Sequence, residues 1–174
     1  MFPFRFPELV SAVPTRVIEF DKILKPGCTC VGVDARSKKA VLEEACERLS
    51  AEFPDDVEPR RLLEGLLDRE RLGSTGLGEG VAIPHCRFET CDEPVACFLR
   101  TCSGIDFDGP DDQPVDLLFV LAVPLHEQRT HLEILGALAR AFDDPANLVQ
   151  LRRATTDREL FDVLQRQLVL SQQE

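Results

Sequence analysis

Val115-Asp116-Leu117-Leu118-Phe119-Val120-Leu121-Ala122-Val123 decides the fold class of this chain. Eight of its nine residues are apolar, no alternation leaves one face to water, and Pro114 and Pro124 bound it. A run of that kind is a central strand covered on both faces. Upstream lie an acidic turn-rich loop, Ile105 to Pro114, a strand candidate from Pro94 to Cys102, and a short one at Val81-Ala82-Ile83. Downstream, Thr130-His131-Leu132-Glu133 has capping-box spacing ahead of Leu132, Leu135, Leu138, Ala139 and Phe142, which predicts a helix with Thr130 as its N-cap. Asp144-Pro145 opens a short helix through Leu151, and Thr156-Asp157-Arg158-Glu159 caps a last one.

The N-terminal half carries the same alternation of elements. Ile18 to Leu24 reads as a short helix or turn and Cys28 to Val33 as a strand. From Ser37, the residues Val41, Leu42, Ala45, Cys46, Leu49 and Phe53 form one stripe at helical spacing, broken by Pro54. Pro59 suits the first turn of the next helix, which buries Leu62, Leu63, Leu66 and Leu67. Strands interleaved with helices predict an α/β domain whose sheet carries helices on its faces. Residues 1–17, broken by Pro3, Pro7 and Pro14, are expected to be a flexible N-terminal arm, and 18–170 a single domain.

At 174 residues, with 44% hydrophobic and 29% charged content, the chain has the composition of a globular protein. A net charge of −11 opposes nucleic acid and anionic membrane, and attracts basic protein partners. Membrane insertion is not expected, because no apolar run approaches the ~18 residues of a spanning helix. Seven scattered cysteines fit a reducing compartment, so a cytoplasmic protein is expected.

The chemistry is expected in Gly73-Ser74-Thr75-Gly76-Leu77-Gly78-Glu79-Gly80-Val81-Ala82-Ile83-Pro84-His85. Four glycines in eight residues are costly unless the backbone needs positive φ or a close approach. Their N–H groups, with the Ser74 and Thr75 hydroxyls, are the parts of an anion nest. The run ends on a strand that delivers His85 behind Pro84. The glycine spacing fits neither a dinucleotide fingerprint nor a Walker loop. A glycine-rich connection ahead of an incidental histidine fits the same spacing. His131, in the predicted first turn of its helix, should stay neutral there, and could orient a facing imidazole or bond a phosphate on it. It could equally be an exposed first-turn residue. His126, after Pro124, is expected in solvent.

The stretch Asp68-Arg69-Glu70-Arg71-Leu72-Gly73 through His85 resembles the signature of type-2 enzyme IIA domains of the bacterial phosphoenolpyruvate phosphotransferase system. Within them it is most similar to the stand-alone nitrogen-regulatory kind. The likeness runs from about residue 18 to about 168 and includes Pro114 to Phe119, Val123-Pro124 and Thr130-His131-Leu132. The resemblance implies a mixed β-sheet sandwiched by helices in three layers. It implies phosphorylation of His85 on Nε2, with His131 and Arg69 as the other catalytic residues, Ser74, Thr75 and Gly76 around the phosphate, and no cofactor or metal. The implied donor is a histidine phosphocarrier protein of the HPr or NPr kind. The implied targets are regulatory partner proteins, such as potassium-transport or sensor-kinase components. Cys86 departs from the glycine common at that position, and could crowd the pocket or sensitise it to oxidation.

Two other readings use nearby residues. A sugar-transport IIA would hand its phosphate to a separate IIB domain. A metal or thiol site could be built from His85, Cys86, Cys91, Cys97 and Cys102, although no Cys-x-x-Cys pair exists and strand alternation separates Cys97 from Cys102. Asp106, Asp108, Asp111 and Asp112, with Asp92-Glu93, would steer a basic donor if they rim the histidine site.

Overall fold

The computed structural model describes residues 16–173. Residues 1–15 of the expected arm lie outside the described residues. The chain runs α1 (Phe20–Ile23), β1 (Leu24–Val33), α2 (Lys38–Glu52), α3 (Pro59–Arg71), β2 (Gly76–Gly78), β3 (Val81–Ala82), β4 (His85–Phe88), β5 (Val95–Ile105), β6 (Val115–Pro124), α4 (Gln128–Asp143), α5 (Pro145–Arg153) and α6 (Asp157–Leu170).

The apolar run is the hub of a mixed six-stranded sheet, ordered β1-β5-β6-β3-β2 with β4 also paired to β6. β5 lies antiparallel to β6 on one side. On the other side β3 and β4 both run parallel to β6, β3 against Leu117 and Leu118 and β4 against Leu121 to Pro124. Pro84 explains the break between them: it has no N–H for the ladder, yet its carbonyl still accepts from Leu121 N at 2.9 Å. β1 is an edge strand, parallel to β5, and can therefore tolerate Pro26 at a register shift.

Side-chain alternation sends neighbouring residues of β5 to different layers. The Phe98 ring stacks on Phe142 of α4, with centroids 6.1 Å apart and planes 13° apart. Cys97 faces Cys28 of β1 and Cys46 of α2 instead. Thus α2 and α3 cover one face and α4, α5 and α6 the other, in three layers forming a single domain. Fully buried Phe98, Phe119, Phe142, Leu99, Leu117 and Leu118 make its centre. Burial of six such side chains contributes on the order of 10 kcal/mol before the entropy cost of ordering them.

Three helix starts, those of α2, α5 and α6, are set by the expected caps. Ser37 Oγ accepts from Ala40 N, Asp144 Oδ1 from Ala146 N and Thr156 Oγ1 from Glu159 N. α4 differs. It begins at Gln128 with Glu127 in the N-cap position, so Thr130 is no cap; its hydroxyl donates to Glu127 Oε2 at 2.5 Å. The buried face of α4 also differs from the expected stripe: Ile134, Ala137, Leu138, Ala141 and Phe142 go inward, and Leu132 stands 67% exposed.

Candidate histidine site

His85 opens β4 rather than ending the preceding strand. Its Nδ1 lies 2.7 Å from the carbonyl oxygen of Ile83. A carbonyl can only accept, so Nδ1 carries the proton and the Nε2 lone pair is left free. Burial pushes the His85 pKa below its ordinary value; the Ile83 carbonyl works against that, and the Arg69 charge reinforces it. The result is a neutral imidazole with one nucleophilic nitrogen.

The facing group is His131 of α4, its ring centroid 5.1 Å away and its plane at 63°, edge to face. Because α4 starts early, His131 lies past the first free N–H groups, and its own backbone N–H already donates to Glu127 O at 3.0 Å. Its neutrality therefore has another cause than the helix end. Burial, followed by the charges of His85, Arg87 and Arg69, pushes its pKa down to about 4. His131 Nε2 is buried and has no hydrogen-bond partner among the described residues. A buried polar atom without a partner is costly unless something else comes to it.

Arg69 sits in the last turn of α3, where a cation is favoured, and donates to Gly73 O at 3.0 Å. Its charge reaches both imidazoles. The glycine turn behaves differently from an open nest. Both donors of Thr75 go to the buried carboxylate of Glu70: its N–H to Oε1 at 3.1 Å and its hydroxyl to Oε2 at 2.6 Å. Ser74 Oγ donates to Phe107 O and accepts from Gly76 N. Glu79 N donates to Asp111 Oδ2 at 2.8 Å, and that bond holds the Asp111 carboxyl below its usual range. The expected phosphate donors Ser74, Thr75 and Gly76 are thus already engaged within the protein, because its own carboxylates and carbonyls reach them first.

Two glycines have steric reasons. A Cβ on Gly76 would sit 3.0 Å from the Gly109 Cα, so the glycine admits the neighbouring loop. Gly80 has φ +78°, and a Cβ there would strike the Arg152 guanidinium. The acidic loop packs on this turn, with Asp111 on Glu79 and Asp108 paired to Lys38 at 3.3 Å. Both carboxylates have these partners while staying exposed to solvent, Asp108 by 81% of its side chain.

Cys86 does not crowd the imidazole. It lies on the opposite face of β4, where a Cβ on Gly65 of α3 would stand 3.3 Å from its Sγ, and burial pushes its thiol up to about 12. Cys102 is exposed and Cys97 fully buried, so those two cysteines do not share one site. Among the described residues no group of three or more His, Cys, Asp or Glu side chains is arranged for a metal. His126 is exposed, as expected. Sequence reasoning overlooked Glu70, Lys38 and Arg87. Arg87 had a usable signal, since i and i+2 on a strand share a face with His85.

Solved structures first place this architecture in a class. The crystal structure of nitrogen regulatory protein IIA-Ntr from Neisseria meningitidis matches with a TM-score of 0.78 and 36% identity, covering 83% of this chain and 98% of that one. IIA mannitol from Escherichia coli matches at 0.64 and 28% identity, over 77% of this chain and 94% of that one. Residues 22–167 match the family described as phosphoenolpyruvate-dependent sugar phosphotransferase system, EIIA 2, and the chain belongs to that family of phosphotransferase components. The nitrogen regulatory protein of Pseudomonas aeruginosa is 40% identical over 148 residues, 85% of this chain and 96% of that protein. No helix among the described residues is long and apolar enough to cross a membrane.

Proposed function

We propose that this chain is a phosphoryl carrier of the nitrogen-regulatory type, which accepts phosphate on His85 Nε2 from a histidine phosphocarrier protein and controls partner proteins by its phosphorylation state. The observation that carries the reading is the 2.7 Å contact from His85 Nδ1 to Ile83 O, which leaves Nε2 as the free nucleophile. The donor's N–P bond breaks as the Nε2–P bond forms. Such a transition state asks mainly for alignment and charge stabilisation. Arg69 supplies positive charge, and His131 Nε2, buried and unpartnered, is the group that gains a bond when a phosphoryl group arrives. The proton stays on Nδ1 throughout, donated to the Ile83 carbonyl oxygen, so the phosphorylated ring is cationic and departs readily from phosphorus. That keeps transfer reversible.

The 36–40% identity to nitrogen regulatory proteins supports the regulatory over the sugar-transport role. The mannitol neighbour was solved in complex with phosphorylated enzyme IIB, so transfer to a IIB domain is the discriminating assay. A phosphate adds about −1.5 to −2 charges beside two imidazoles, enough to change which surfaces dock there. Regulatory partners, including potassium-transport or sensor-kinase components, would read that change in the cytoplasm. Incubation with phosphoenolpyruvate and the phosphocarrier chain should place acid-labile phosphate on His85 and leave His85→Ala unlabelled. Equal labelling of the variant refutes the proposal.

A further inference from the structure

Lys38 is an anomaly. It is the first residue of α2, where the helix end disfavours a cation, yet its side chain is only 23% exposed. Its Nζ lies 3.3 Å from Glu70 Oε1 and 3.3 Å from Asp108 Oδ2, and donates to Phe107 O at 3.4 Å. Glu70 is equally out of place, an acid on the buried face of α3 with a side chain 4% exposed. Two ions withdrawn from water in this way give little net stability over apolar side chains of the same size. Their contacts lead to the imidazole. Glu70 holds Thr75 through both carboxylate oxygens. The Thr75 carbonyl accepts from Ile83 N at 3.0 Å, and the Ile83 carbonyl accepts from His85 Nδ1.

We propose that Lys38 and Glu70 are positioning residues for phosphoryl transfer at His85, acting through Thr75 and Ile83 to hold the carbonyl that keeps the proton on Nδ1. The same ion pair fixes the second wall of the turn, since Lys38 and Ser74 both donate to Phe107 O. Neither residue touches the reacting atoms. Without the clamp, the Ile83 carbonyl loses its set direction, the proton is free to move to Nε2, and the nucleophilic lone pair is lost from the nitrogen that faces the donor. This rests on the reading of His85 as the phosphorylated residue.

The test uses the full chain as Glu70→Gln, Lys38→Met, Lys38→Arg and the double variant Lys38→Met/Glu70→Gln. Two quantities are read: kcat and KM for phosphate uptake from the phosphorylated phosphocarrier protein, and the ring 15N shifts of His85. Misplacing a reactive group by a fraction of an ångström predicts a kcat about tenfold lower in the two neutral single variants, with KM within about twofold. Lys38→Arg should recover most of the rate. The double variant leaves no unpaired buried charge, so its stability should return towards wild type while its kcat does not. In the three neutral variants the 15N shifts should move from the Nδ1–H form to a mixture of tautomers. Recovery of kcat along with stability in the double variant overturns the proposal, as does an unchanged tautomer in all variants. The shifts need no phosphorylation, so they read the clamp separately, whereas labelling of His85→Ala would instead strike the underlying function.

Discussion

Lowering the pH from 8 to 5 should destabilise this protein, and His131 carries a separable share of the loss. His131 is held neutral by burial, its pKa pushed down to about 4, whereas in the unfolded chain it titrates near ~6.5. Between those values the unfolded chain binds a proton that the folded chain refuses, so stability falls as pH falls. At pH 8 neither state is protonated and the contribution vanishes; at pH 5 the linkage relation gives about 2 kcal/mol for the full difference. The ring is only half-buried, so solvent screening brings the expected loss to about 1 kcal/mol. His131→Gln keeps an amide near the Nε2 position but cannot titrate. Urea unfolding of wild type and variant at both pH values isolates the effect, because the carboxylates and His85 are common to both proteins. Wild type should lose about 1 kcal/mol more than the variant, or roughly 0.5 M in urea midpoint. Equal losses would mean that His131 titrates as an ordinary surface histidine, and the picture of a desolvated imidazole pair would be wrong.

The lowered His85 pKa also predicts that the acid limb of the single-turnover phosphorylation rate lies below the ordinary histidine value of ~6.5. A midpoint at or above that value in a pH series contradicts it. Burial pushes Cys46 and Cys86 up to about 12 and Cys91 to about 11, so brief alkylation of the native protein should modify exposed Cys102 alone. Mass spectrometry that finds Cys86 modified as fast as Cys102 would show its cover over α3 to be open.

β6 was legible because an apolar run of that length has one economical home, the middle of a covered sheet. β4 was not: four residues that include Arg87 have no strand signature, and only the free edge of β6 beside Pro84 makes them a strand. α4 was legible as a helix but not in its face, since Leu132-Leu135-Ala139 and Ile134-Ala137-Leu138-Ala141 are both helical stripes and the sheet chooses between them. Thr130-x-x-Glu133 has cap spacing in a chain that begins its helix three residues earlier. The glycine turn pointed correctly to a special backbone, while the partners of its amides were out of sight. Glu70 lies on the inward face of a helix and Asp111 arrives from 32 residues away.

That last mismatch bears on how a carrier works. Had the turn offered its amides and hydroxyls freely to a phosphate, each bond would have stabilised the phosphorylated state and slowed release. Here Glu70 and Asp111 already occupy amides of the turn, and Phe107 O takes the Ser74 hydroxyl. On the proposed reading, phosphate meets chiefly Arg69 and one imidazole that lacks a partner without it. On that same reading the carboxylates would do two things at once: stiffen the turn ahead of His85, and keep its donors from becoming a trap. A neutral nucleophile, a rigid support and few competing donors leave the bound state close in free energy to the donor's own phosphohistidine, the condition for passing a phosphoryl group on in either direction.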